Sequence, residues 1–344
     1  MRTQPGGRGP APLTLRTFAA VATVLLVLAG CGSSDTSQPS AGGAGARKAP
    51  HGEITLYTSY SQPEVDGLVA AYRTAVPKVT VKVFRAPTGE LSARIAAEQR
   101  SGGVRGDVLL LSDPLSMQQY AGQHMLLRWT PKEQDAVPAE ARSSTFWGVT
   151  TSDVVVVHQP GVDVTSWHDL TKPAFTDAVA LPDPSFAGSA FGALGYFALD
   201  PGFGLDYYQA LKDNGAVQVA APGDVVTGVA EGRYKAGMAL DFVARAAVKS
   251  GSPLEISAPA PGAIRLYAPM AVFRGTDNPV AAKSFGNFLL TLPAQKVLAG
   301  LDRHPIRADV PATAPEVTEV VPDWPKVFGQ QADLRSGYAA IFDG

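Results

Sequence analysis

Four junctions in the sequence put small polar residues between an apolar, strand-like run and a helical pattern. Thr58-Ser59-Tyr60-Ser61 precedes a helix starting near 63, and Thr88-Gly89 precedes Glu90. Ser112-Asp113 precedes Pro114, and Pro184-Ser185-Phe186-Ala187-Gly188-Ser189 opens a long helical stretch. Any one of these Ser, Thr or Asp residues can serve as a helix N-cap, its side-chain oxygen taking a first-turn N–H. Together they suit another chemistry. A helix N-terminus offers free N–H donors and the positive end of the helix dipole. Each such end contributes roughly 0.3–1 kcal/mol toward an anion, up to about 2 when partly buried. Several ends converging with hydroxyl donors make a site for a phosphate, phosphonate, sulfate or carboxylate.

Two carboxylates stand at similar junctions. Asp241 follows the apolar Met238-Ala239-Leu240 and precedes a helix, and Asp113 follows 107–111. Each has two readings, a cap or a carboxylate facing a cleft, where it would take an ammonium, a hydroxyl or a metal. Tyr60, Phe186, Phe242 and Tyr267 are candidate aromatic walls. Other chemistry is missing. There is no Gly-x-Ser-x-Gly, His-Glu-x-x-His or Gly-x-x-x-x-Gly-Lys-Ser/Thr. Gly202-Phe203-Gly204 lacks the third glycine of a dinucleotide fingerprint. The five His (51, 124, 158, 168, 304) are scattered without ligand spacing. No nucleophile–base set is visible, so the expectation is a binding protein without a cofactor, a metal centre or an enzymatic activity.

The elements that must position these residues alternate. Strands are expected at 53–58, 79–84 and 107–111, with helices at 63–72, 90–99 and 114–122. Val65, Leu68, Val69 and Tyr72 share one helical face. After a buried-type strand at 154–157 the alternation restarts, with strands at 178–181, 217–220 and 237–240. Its helices are expected at 186–199, 205–213, 225–231 and 242–249. An extended apolar run at 264–273 and helices at 279–292 and 294–301 follow. Apolar strands alternating with helices indicate mainly parallel sheets covered on both faces. In such sheets the loops at the carboxyl edge of the strands gather where ligands bind. Two successive units suggest two lobes joined by crossing strands: lobe 1 from 52–150 and 264–311, lobe 2 from 151–263, and a helical tail at 312–344.

Charge is close to balance, 29 Lys+Arg against 31 Asp+Glu, which argues against nucleic acid as a partner. The single Cys, Cys31, rules out an intramolecular disulfide. It ends the run Val21-Ala22-Thr23-Val24-Leu25-Leu26-Val27-Leu28-Ala29-Gly30-Cys31, preceded by Arg2, Arg8 and Arg16. The charged start, short apolar core and small residues form a signal peptide over 1–30. The core is shorter than the ~20 residues of a spanning helix. Residues 32–50 are mostly Ser, Gly, Ala, Thr, Gln and Pro with almost no large apolar group, a composition that cannot bury enough surface to fold. About 19 residues of such a tether reach roughly 24 Å.

Leu28-Ala29-Gly30-Cys31 resembles the bacterial lipobox, in which the Cys is lipidated and becomes the mature N-terminus. With it, Leu56-Tyr57-Thr58-Ser59, Thr88-Gly89-Glu90-Leu91-Ser92-Ala93-Arg94-Ile95, Ser112-Asp113-Pro114, residues 182–190, and Ala239-Leu240-Asp241 resemble the type II periplasmic binding proteins of ABC importers. The similarity spans about 52–310, nearest the branch for ferric ion, 2-aminoethylphosphonate, phosphoglycerate and sugar phosphates. It implies an α/β, two-lobed clamp, each lobe a mainly parallel sheet flanked by helices. A monomeric exported lipoprotein would close over a solute outside the membrane and deliver it to an ABC permease. Ferric-ion members usually place two adjacent tyrosines after the strand that here ends at Leu240. This chain has Asp241-Phe242-Val243 there, and Phe offers no oxygen to a hard cation. Tyr207-Tyr208 lies in a helical pattern and reads as packing.

The expected ligand is a small phosphorylated or phosphonate-bearing anion, with or without an amine, and ferric ion is the alternative. The anion would sit among Thr58, Ser59, Thr88, Gly89, Ser112, Ser185, Gly188 and Ser189. Asp113 and Asp241 would take the donor-rich end, with Tyr60, Phe242 and Tyr267 beside them. An extracytoplasmic enzyme and a signalling or adhesion subunit of the same fold are the other classes considered.

Overall fold

The computed structural model describes residues 49–343. The expected signal peptide, Cys31 and nearly all of the expected tether lie outside them. Among the described residues no helix is long and apolar enough to cross a membrane.

The first wing begins with β1 (Gly52–Thr58), α1 (Gln62–Ala75), β2 (Val79–Arg85), α2 (Thr88–Arg100), β3 (Val108–Leu110) and α3 (Pro114–Gly122). Their starts follow from local chemistry. In α1, Ser61 and Glu64 form a capping box, with Pro63 in the first turn. In α3, Asp113 accepts from Ser116 N–H and Pro114 opens the helix. β1 pairs parallel with β2 and with β3. β3 is wholly buried, whereas the edge strand β2 is mostly exposed or half-buried and pairs its Lys82 with Glu53 of β1 at 2.7 Å.

The crossing is made by β4 (Phe146–His158). The second wing follows with β5 (Val179–Pro182), α4 (Gly188–Leu199), α5 (Gly204–Asp213), β6 (Val217–Val219), α6 (Pro222–Ala230), β7 (Ala236–Leu240), α7 (Asp241–Lys249) and β8 (Glu255–Ser257). Then come β9 (Ala263–Val272), α8 (Pro279–Leu289), α9 (Leu292–Gly300), β10 (His304–Pro305), β11 (Glu319–Val320), α10 (Trp324–Gly329) and α11 (Gln331–Phe342).

Among the described residues one sheet contains all the strands, in the order β2-β1-β3-β9-β4-β7-β5-β6, with the three short strands β8, β10 and β11 pairing at its middle. The wings are parallel. The middle is antiparallel, because β4 and β9 run against each other from Phe146↔Ala271 to Val154↔Ile264. One end of β9 pairs with β3, and one end of β4 with β7. Both strands therefore belong to both wings, so a division at 150/151 falls inside β4. α4 is buried almost all round, and its glycines admit neighbours closely: Gly192 faces Leu266 and Gly195 faces Val327 of α10. In the tail, α10 meets α3 and α4, while α11 packs on α5 and α4, with Tyr338 edge-on to Tyr208 at 5.1 Å.

Candidate functional site

The helix starts of both wings face a cavity of about 340 Å³. From the first wing come Ser59, Tyr60 and Ser61 after β1, Thr88 at the start of α2, and Ser112 after β3. The second wing brings Gly188 and Ser189 at the start of α4, Pro222 and Gly223 at that of α6, and Phe242 and Val243 at that of α7. The first-turn N–H groups of these helices have no partner within their own helix. Ser59 ties two loops together: its Oγ accepts from Ser112 N–H at 3.0 Å and donates to Ser112 Oγ at 3.3 Å.

Charge enters through residues that sequence reasoning did not single out. Arg85, exposed at the end of β2, and Arg303, from the loop after α9, both line the cavity. Arg303 is 2% exposed. Its guanidinium lies 4.9 Å from the Tyr60 ring centre and 4.1 Å from that of Phe242, a cation–π sandwich. Arg303 Nη2 donates to Thr150 Oγ1 at 2.7 Å, and Nε stands 3.3 Å from Glu64 Oε1. Glu64 is the one lining carboxylate, and its Oε2 is taken by Ser61 N–H and Oγ. The Tyr60 hydroxyl is engaged with Thr150 at 2.8 Å, and burial pushes its pKa up to about 12. The cavity therefore presents hydroxyls, helix N-termini, the exposed Arg85 and the buried Arg303–Glu64 ion pair.

The family model of the bacterial extracellular solute-binding proteins matches residues 54–300, more than half of the chain. The chain belongs to that family. Solute-binding proteins capture rather than convert, in keeping with the missing nucleophile–base set. No curated protein sequence matches the chain. Among solved structures, AfuA from Actinobacillus pleuropneumoniae with fructose-6-phosphate bound is 16% identical over 85% of this chain and 98% of its own (TM-score 0.76). A ferric binding protein from Campylobacter jejuni is 17% identical over 84% of this chain and 99% of its own (TM-score 0.74). Iron-bound HitA from Pseudomonas aeruginosa is 18% identical over 84% and 99% (TM-score 0.72). These likenesses show the two-lobed α/β fold of periplasmic binding proteins.

In this solute-binding protein seven of the expected site residues line the cavity: Ser59, Tyr60, Thr88, Ser112, Gly188, Ser189 and Phe242. Six others are placed elsewhere. Thr58 is fully buried and its Oγ1 accepts from Tyr60 N–H, so it shapes the turn. Gly89 and Ser185 line a neighbouring polar pocket. Gly89 N–H donates to Phe186 O across the wings at 3.3 Å, and a Cβ there would stand 2.6 Å from Ser185 O. Tyr267 lines a different cavity, beside Trp324 at 5.5 Å.

The two aspartates are corrected as well. Asp113 is fully buried beneath Gly188, where a Cβ on that glycine would come 2.0 Å from Asp113 Oδ2. Burial raises its pKa, against the pull of Ser116 N–H. Asp241 takes Asp153 N–H at 2.9 Å, His304 Nε2 at 2.7 Å and Arg245 Nη1 at 2.5 Å. Burial works to raise this carboxyl, yet His304 and Arg245 hold it down to about 2. Asp153, Asp241 and His304 bring potential ligand atoms within 4.8 Å of one another. Arg265 already grips Asp153 through two bonds of 2.7 and 2.8 Å, and Arg245 grips Asp241. With both carboxylates neutralised, the trio is an ion network of the fold. Tyr207 and Tyr208 are buried as packing, Tyr207 donating to Trp167 O at 2.9 Å.

Proposed function

We propose that this protein is lipid-anchored through Cys31, closes its two wings on a small phosphate- or phosphonate-bearing anion, and delivers it as a monomer to an ABC permease. The observation that carries the reading is the donor character of the cavity. Hydroxyls of Ser59, Thr88, Ser112 and Ser189, several helix N-termini, and the guanidiniums of Arg85 and Arg303 face one space. Such a set suits an oxyanion. AfuA, a structural relative, holds a sugar phosphate. The ferric alternative, suggested by the Campylobacter and Pseudomonas relatives, meets a poor ligand set here. The position after Leu240 carries Asp241 and Phe242, Asp241 is spent on three donors, and the Tyr60 hydroxyl is engaged with Thr150.

Thermal unfolding of the chain lacking residues 1–31, measured against phosphonates, sugar phosphates, phosphoglycerates and ferric salts, tests the reading. A ligand at a hundred times its dissociation constant adds about 2.7 kcal/mol to apparent stability. Stabilisation by a phosphorus compound supports the anion clamp. Stabilisation by ferric ion alone overturns it.

A further inference from the structure

Beside the main cavity lies a second pocket of about 250 Å³ that shares Thr88, Phe186 and Gly188 with it. Its lining is polar: Ser92 and Gln119 from the first wing, Ser185 from the second, and Arg335 from α11. Arg335 is the unexpected member, because the tail gave no sequence argument for touching a ligand. Its guanidinium is half-buried and lies 3.7 Å from the Phe191 ring centre. Among the described residues it makes no ion pair or hydrogen bond to a protein group. Asp113 acts on it only through space. Asp113 is itself enclosed, with Oδ2 unpartnered, and burial favours its neutral form. A partly desolvated guanidinium that keeps its charge and faces serines and an amide lacks one thing, an oxyanion to bind through its planar fork.

We propose that this pocket is a second anion subsite. The solute then carries two anionic ends, a phosphate or phosphonate in the main cavity and a carboxylate or second phosphate on Arg335. The inference rests on the anion reading of the main cavity. It adds that the C-terminal tail takes part in selecting the solute. Because the pocket draws on both wings and on α11, an occupied subsite also ties the closed arrangement together.

Isothermal titration of the full chain in detergent with two matched pairs of probes tests it. The pairs are 3-phosphoglycerate against glycerol 3-phosphate, and fructose 1,6-bisphosphate against fructose 6-phosphate. The doubly anionic member of at least one pair is expected to bind the wild type roughly tenfold to a hundredfold more tightly, the worth of a charged hydrogen-bond pair. Arg335→Gln should erase that advantage and leave the singly anionic member unchanged, while Arg335→Lys keeps part of it. Ser185→Asp, at an exposed position, should weaken only the doubly anionic member, which guards against a folding defect in the Arg335 variants. Equal affinities within both pairs, or an advantage that survives Arg335→Gln, overturn the subsite. If no probe binds the wild type, the anion reading fails and the subsite with it. If the singly anionic probes bind and the second charge adds nothing, the subsite alone fails.

Discussion

Asp113 and Asp241 occupy matching places in the two wings. Each follows a buried strand, each starts a helix, and each has almost no exposure. Their surroundings differ in one respect, the supply of donors. Asp241 meets a main-chain N–H, an imidazole and a guanidinium, and its pKa falls to about 2. Asp113 caps α3 through Oδ1 while Oδ2 faces the backbone of Gly188 without a partner, and its pKa rises. One carboxylate ties the crossing strands to α7 and β10. The other caps a helix and carries the cost of burial. The position of an acid between strand and helix therefore says little about its role until the donors around it are known.

The largest effect that would break this comparison is on stability. Asp241→Ala removes the one acceptor that Arg245 Nη1, His304 Nε2 and Asp153 N–H share. Loss of one partner from a buried ionic network costs about 3–5 kcal/mol, whereas Asp113→Asn keeps a capping oxygen and removes a charge that burial disfavours. Urea unfolding at pH 7 should show a large loss for the first and none for the second. Similar losses would mean that Asp113 has a cation partner after all. The next effect is on binding. Ser189→Leu removes a cavity hydroxyl and fills space, so affinity for the phosphorus ligand should fall roughly tenfold to a hundredfold. Its urea midpoint should stay close to that of the wild type. Affinity unchanged by Ser189→Leu would move the ligand out of this cavity.

The same comparison shows what could be read from residue order. The alternating elements were legible because their signals are local: the β-branched run of β2, Pro114 and Asn278-Pro279 at helix starts, and Asn214-Gly215 at the end of α5. The first half of β4 was not. Residues 146–153 mix Trp, Gly, Thr, Ser and Asp, and they extend because β9 pairs with them. β8, β10 and β11 are two or three residues long, too short for any period to show. The hydroxyls of the cavity were legible because strand–helix junctions collect at one sheet edge. Arg303 was not, since its place between Tyr60 and Phe242 depends on a loop far along the chain. The Asp241 tie had one local sign, Arg245 four residues on, on the same helical face. Its other partner, His304, looked isolated in sequence.

A smaller and sharper test comes from pH, where the two aspartates carry opposite signs. The folded pKa of Asp241, about 2, lies below the ordinary value near 3.9. Its contribution is complete above about pH 4 and is lost as pH falls toward 2. For Asp113 the folded value is raised, so stability drops as pH rises from the ordinary carboxyl value through the folded one. Subtracting the unfolding free energy of Asp241→Asn from that of the wild type should give a difference that shrinks between pH 5 and 2. For Asp113→Asn the difference should become more favourable to the wild type over the same interval. Two curves of the same slope would remove the contrast between the regions.

The smallest expected effect concerns Arg85, exposed at the rim of the cavity, and separates steering from contact. A rim charge acts on an approaching anion over a distance set by salt, about 30 Å at 0.01 M and about 8 Å at 0.15 M. Arg85→Gln should therefore slow association a few-fold at low ionic strength, by a factor that closes as salt is added. Dissociation should be unchanged, because Arg303 and the hydroxyls hold the bound anion. Stopped-flow traces at the two salt concentrations give both rates. If Arg85→Gln instead speeds dissociation equally at both, Arg85 touches the solute, and the binding surface reaches from the buried sandwich around Arg303 out to the end of β2.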